Sequence, residues 1–145
     1  MNLIPRLSFI HIALLMLFSA PAVADEQAEL MEAIDIDRAT ASPALAGTCT
    51  EVHFEITNRS DQSVHLLGLE SAFASSVRLV ARVDTDRTVT MESTTIPAEE
   101  TLDLTTSHLS FELCGLKKPL RLGDVLEVTL DFVTWKQAVS IHVHD

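Results

Sequence analysis

Six histidines, four methionines and two cysteines hold most of the chemistry open to this chain of 145 residues, which has no tyrosine and one tryptophan, Trp135. His142 and His144 alternate with Ile141 and Val143 at the end of the sequence. On a strand, that alternation turns both imidazoles to one face with Cα atoms ~6.6 Å apart. Two imidazoles so spaced can approach one ion, with Asp145 or the terminal carboxylate beside them, and such a set suits Cu(II), Ni(II) or Zn(II). The alternative is a solvated final strand. His53 and His65 are isolated, and His11 lies in the apolar leader. Nucleophilic catalysis finds no support: Ser107 and His108 are chain neighbours that a strand would turn to opposite faces. There is no glycine-rich phosphate loop, no nucleophile elbow and no zinc-protease helix, so the chain is read as a non-enzyme.

The elements that must position these groups are strands. In residues 50–57 the apolar Val52, Phe54 and Ile56 alternate with Glu51, His53 and Glu55, one face inward and one outward. Asn58, Arg59, Ser60 and Asp61 form a turn cluster before a second strand over 64–69. Residues 77–83 alternate again, and Asp84, Thr85 and Asp86 turn the chain into a strand over 88–91. Leu102 and Leu104 mark a short strand. Over 108–113, Leu109, Phe111 and Leu113 point inward, so His108, Ser110, Glu112 and Cys114 share the outer face. Two strands close the chain, over 125–132 and 138–144. Short strands at intervals of about 8–12 residues predict an all-β antiparallel sandwich or small barrel. Before them, residues 26–34 suit a short amphipathic helix and 39–47 an extended lead-in.

Residues 1–6 carry one positive charge, residues 7–18 are an apolar run, and Ala22, Val23 and Ala24 fit a signal-peptidase site followed at once by Asp25 and Glu26. The run stops at Pro21, short of the ~18 apolar residues a span requires, so a cleaved leader is favoured over a membrane anchor. The expected organisation is residues 1–24 as signal peptide, 25–47 as a partly irregular lead-in and 48–145 as the β domain, working in the periplasm without stable membrane insertion. Loss of Arg6 with the leader takes the formal charge from −11 to −12, which repels phosphates and argues against nucleic acid. In an oxidising compartment Cys49 and Cys114 are expected to pair. Closing their loop of 65 residues (114 − 49) would contribute ~4 kcal/mol on the chain-entropy model. A redox or thiolate metal pair is the functional alternative, with no C-x-x-C spacing to support it.

Residues 52–58 (VHFEITN), then Ile96, Pro97 and Ala98, then His108 and Leu109, then 115–120 (GLKKPL), Gly123 and Asp124, and 128–132 (VTLDF) follow in order the landmarks of the periplasmic copper chaperones called PCu(A)C. The chain resembles that family over about residues 46–143. The resemblance implies a cupredoxin-like Greek-key barrel that holds Cu(I) with His and Met near one end. It also implies delivery to a periplasmic apo-protein acceptor, in the assembly of respiratory oxidases. Thioether and imidazole suit a soft ion where free thiolates would be oxidised.

The family motif is a His, ten residues, a Met, about twenty residues, then His-x-Met. Here Val80 stands at the first His, Met91 matches the Met, and His108 follows after 16 residues (108 − 91 − 1) with Ser110 at the last Met. The resemblance therefore leaves Met91 and His108 as Cu(I) ligands, beside partners that it does not identify. Met91 also reads as a core thioether and His108 as a solvated rim residue. Cys114 shares the face of His108, but six residues of strand separate them by ~20 Å. Two alternatives accompany copper delivery: an interaction module that kept the fold and lost the site, or Cu(II) or Zn(II) binding at His142 and His144.

Overall fold

The computed structural model describes residues 22–145, so the leader expected over 1–24 lies almost wholly outside the described residues. One helix, α1 (Ala22–Glu32), precedes ten strands: β1 (Ile34–Ala41), β2 (Cys49–Asn58), β3 (Val64–Glu70), β4 (Ser76–Asp84), β5 (Arg87–Met91), β6 (Thr94–Ile96), β7 (Thr101–Asp103), β8 (Leu109–Cys114), β9 (Val125–Phe132) and β10 (Lys136–Val143). Among the described residues no helix is long and apolar enough to cross a membrane.

The strands form one sheet in the order β5-β4-β8-β2-β1-β10-β9-β3-β6, with β7 also paired to β2. Hairpin neighbours such as β1–β2, β4–β5 and β9–β10 stay adjacent, but β3 and β4 lie near opposite ends and β8 returns to sit between β4 and β2, as in a Greek key. The alternation read in residues 50–57 is the alternation of the structure. Val52, Phe54 and Ile56 are fully buried, while Glu51, His53 and Glu55 face outward. Phe111, Leu113, Leu126, Leu130, Phe132 and Ile141 complete the same core. Phe54 stacks on Phe111 at 5.8 Å and Phe132 on Trp135 at 4.5 Å between ring centroids.

Two expectations need correction. The segment over 25–47 is not a lead-in throughout, because residues 34–41 form β1, which lies inside the sheet between β2 and β10. Its period-two signal is short, Ile34 and Ile36 against Asp35 and Asp37. It is then broken where the β1–β2 register shifts between Asp37 and Thr40, at Arg38 with φ 52°. A bulge of this kind hides alternation from a reading by period. The sheet is also not wholly antiparallel: β1 and β10 pair in parallel at Thr40↔His142 and Ala41↔Val143.

Two polar devices fix the loops. Asn58, fully buried, donates from Nδ2 to the carbonyls of Gln62 (2.7 Å), Pro97 (3.0 Å) and Ile96 (3.2 Å). Its Oδ1 accepts from Ser60 N at 3.0 Å and Ser60 Oγ at 2.7 Å. One side chain thus ties the β2–β3 turn to the end of β6. Asp103 organises the β7–β8 connection that leads to His108. Its carboxylate accepts from Thr105 Oγ1 (2.5 Å), Thr106 Oγ1 (2.6 Å), Thr105 N (2.7 Å) and Thr106 N (3.2 Å). The hydroxyls of Thr105 and Thr106 hold its pKa well below the usual carboxylate range.

Replacing Asn58 by Ala leaves the buried Ile96 carbonyl and the partly buried carbonyls of Gln62 and Pro97 without this donor, and chemical denaturation should show a loss of about 2–4 kcal/mol. For Asp103, the depressed folded pKa means that its stabilisation is present above the unfolded value and is lost as pH falls through the folded one. Asp103→Asn should therefore lower Tm at pH 7, with the gap from the parent narrowing as pH drops below about 4. A gap independent of pH would show that the charge contributes nothing.

Candidate metal centre

The outer face of β5-β4-β8-β2 is where the motif positions meet. In the antiparallel register Val80 of β4 lies opposite Ser110 of β8 on one side and Thr90 of β5 on the other. The two positions where the motif would place a His and a Met are therefore direct cross-strand neighbours, and neither carries a metal donor of the expected kind. Ser110 is outward, as its parity requires, yet Ser110 is 7% and Val80 4% exposed. Val80 does not belong to the hydrophobic core. Something other than the barrel interior covers both.

A set of ion pairs spans the same face. Glu51 of β2 and Glu112 of β8 face each other across the ladder, a like-charge pair that would be unfavourable alone. Arg78 takes Glu112 at 2.7 Å and Arg82 takes Glu51 at 3.1 Å. Arg82 lies two residues beyond Val80, while Glu51 lies two residues to the other side of Ser110 in the register. The Arg82–Glu51 bridge thus runs diagonally across β8 at Ser110, and the stems of Arg78 and Arg82 flank Val80 on its own strand. His53 adds to the network. Its Nδ1 donates to the Leu104 carbonyl at 2.9 Å, leaving Nε2 3.5 Å from Glu51. Exposed pairs of this kind each contribute only ~0–1 kcal/mol, but together they occupy the ground where a metal would sit. Sequence reading missed these four residues. Their signal was there, in basic residues at 78 and 82 and acidic ones at 51 and 112, all on outward parity.

Met91 and His108 are not brought together. Met91 pairs with Leu79, which pairs with Phe111, and it packs partly buried against the core. His108 is exposed in the bend before β8, where its carbonyl accepts from Arg82 N at 2.7 Å. Arg82 in turn pairs with Thr88, so the two candidates are three residues and two strand spacings apart, ~14 Å, on opposite faces of the sheet.

His142 and His144 do meet. They are exposed on one face of the chain end, with ring centroids 6.2 Å apart and planes tilted by 34°. His142 is held between Thr40 of β1 and Val125 of β9. His144 N donates to the Ala41 carbonyl at 3.0 Å, so the backbone beyond β10 is still pinned. No three His, Cys, Asp or Glu side chains converge on a common point among the described residues. Cys49 and Cys114 form the expected disulfide, with S–S 2.04 Å. His65 bonds Thr95 Oγ1 at 2.9 Å.

The fold has known counterparts. A copper-bound PCuAC domain from PmoF2 superposes with TM-score 0.66 at 20% identity, covering 77% of this chain and 92% of that one. The solution structure of CuI-DR1885 from Deinococcus radiodurans gives TM-score 0.61 at 27% identity, over 83% and 85% of the two chains. Its apo form gives 0.59 at 25% identity, over 99% and 96%. No curated protein matches the chain in sequence. The resemblance drawn from 52–58, 115–120 and the other landmarks is thereby supported in three dimensions: the barrel is that of the PCuAC copper-chaperone domains. The LpqE-like family matches over residues 33–143, from the start of β1 to the end of β10, and the chain belongs to that family.

Proposed function

We propose that this protein is an extracytoplasmic copper-binding domain of the PCuAC chaperone type that holds its metal through His142 and His144 in place of the family's His and Met set. The observation that carries the reading is the imidazole pair, 6.2 Å between rings on one face, in a fold whose motif positions bear Val80 and Ser110. Two imidazoles on a pinned strand form a borderline donor set that favours Cu(II) over Zn(II) by the usual stability order, and Asp145 lies next in the chain. An exposed two-nitrogen site releases its ion readily, which suits transfer by ligand exchange to a periplasmic apo-protein such as an oxidase assembly partner. A disulfide fits an oxidising compartment, in keeping with the leader-like residues 1–24.

A second reading is favoured by one observation. The ion pairs of Arg78, Arg82, Glu51 and Glu112 over Ser110 are what an interaction module would show if it had kept the barrel and lost its metal.

Titration of Cu(II) into the purified protein, followed by electron paramagnetic resonance, separates the two. One ion per chain with nitrogen hyperfine structure is expected. His142→Ala and His144→Ala should each weaken binding roughly tenfold or more, which is about 1.4 kcal/mol, while His108→Ala should leave it unchanged. A folded protein that takes up no stoichiometric copper would leave the metal-independent module as the reading.

A further inference from the structure

Cys49 and Cys114 are not merely linked; they are register partners at one end of the β2–β8 ladder, with Cα atoms 4.0 Å apart. Backbone hydrogen bonds hold this pair of positions from both sides without help from the sulfurs. On one side the ladder continues through Thr50↔Leu113 and Glu51↔Glu112. On the other, Gly47 N donates to the Leu116 carbonyl at 2.8 Å and Leu116 N to the Thr48 carbonyl at 3.2 Å. A third strand fixes Cys114, through Ser76↔Cys114 and a bond from Ser75 N to the Cys114 carbonyl at 3.0 Å. Opening the S–S bond would therefore leave two thiols side by side on a prepared scaffold.

The pair is also reachable. Cys49 is exposed and Cys114 half-buried on the sheet's outer face. Arg78 Nη2 lies 4.0 Å from Cys114 Sγ while donating to Glu112. A guanidinium at this distance favours the thiolate form and offsets the negative charge of a two-thiolate site. Among the described residues these are the sulfurs on the outer face, the face from which the motif's thioether donor is missing.

We infer that Cys49 and Cys114 form a redox-gated site for a soft monovalent cation, Cu(I). The site rests on the copper-handling reading above but not on its histidines. A protein dithiol of the thioredoxin class supplies two electrons and two protons: its two S–H groups become one S–S bond as the Cys49–Cys114 bond becomes two S–H groups. Cu(I) then replaces the two protons, forming two copper–sulfur bonds with the metal still monovalent. A protein disulfide of the same exchange class, whose S–S bond takes up two electrons and two protons to become two S–H groups, would re-form the Cys49–Cys114 bond and release the ion, still monovalent.

The test begins with the folded protein in excess dithiothreitol without denaturant. Alkylation and mass measurement should find both thiols free. Anaerobic Cu(I) titration against a chromogenic chelator should then give one more tightly held ion per chain in the reduced protein than in the oxidised protein. The thiolate-to-copper absorption band should appear with it. Cys49→Ser/Cys114→Ser should lack that ion under either condition, and the oxidised parent serves as the folded comparison should the double variant be unstable. His142→Ala/His144→Ala should retain it. Thiols that become free only on unfolding, or equal Cu(I) uptake before and after reduction, would overturn the inference. Copper at the histidines of the oxidised protein with nothing gained on reduction would sink this site alone and leave the histidine reading standing.

Discussion

The register of β8 against β4 governs the outer face of this barrel. By placing Val80 opposite Ser110, it brings together the two positions at which a PCuAC-type chaperone would be expected to present its first imidazole and last thioether. The scaffold has kept that juxtaposition and changed what fills it. A branched aliphatic and a hydroxyl cannot hold a soft ion, and both are withdrawn from solvent on a face where ion pairs link three strands. The same register sets Arg78 against Glu112 and sends Arg82 diagonally to Glu51, so the replacement is a continuous polar cover.

Much of this was legible in the sequence, and the parts that were not share a cause. Strict alternation in residues 50–57 specified β2, because burial of Val52, Phe54 and Ile56 admits only one parity. The same logic placed His142 and His144 on one face, since they are two residues apart where the chain runs on from the end of β10. β1 was hidden by the shortness of its alternation, which ends at the irregularity at Arg38 where period two fails. The burial of Ser110 could not be foreseen from its strand alone, because the Arg82–Glu51 bridge that crosses β8 there joins the neighbouring strands on either side. Met91 and His108 matched a spacing along the chain, but spacing carries no information about faces. Once the register is known, one lies against the core and the other faces solvent.

The two cysteines show the difference between pairing and placement. Their pairing follows from compartment and count. Their position as direct register partners, flanked by backbone bonds on each side, comes only from the fold, and it separates the loop-closing role of the bond from the geometry of the sulfurs. In this protein imidazole and sulfur are thus held at two separate places on the outer surface, each prepared by local backbone pairing and neither at the inherited position.

X-ray absorption at the copper edge of the oxidised, copper-loaded protein reads the ligand set of the bound ion. Ligation by His142 and His144 gives nearest neighbours of nitrogen and oxygen with the multiple-scattering pattern of imidazole and no sulfur. A sulfur shell in that state, requiring a thioether such as Met91 at the metal, would contradict it.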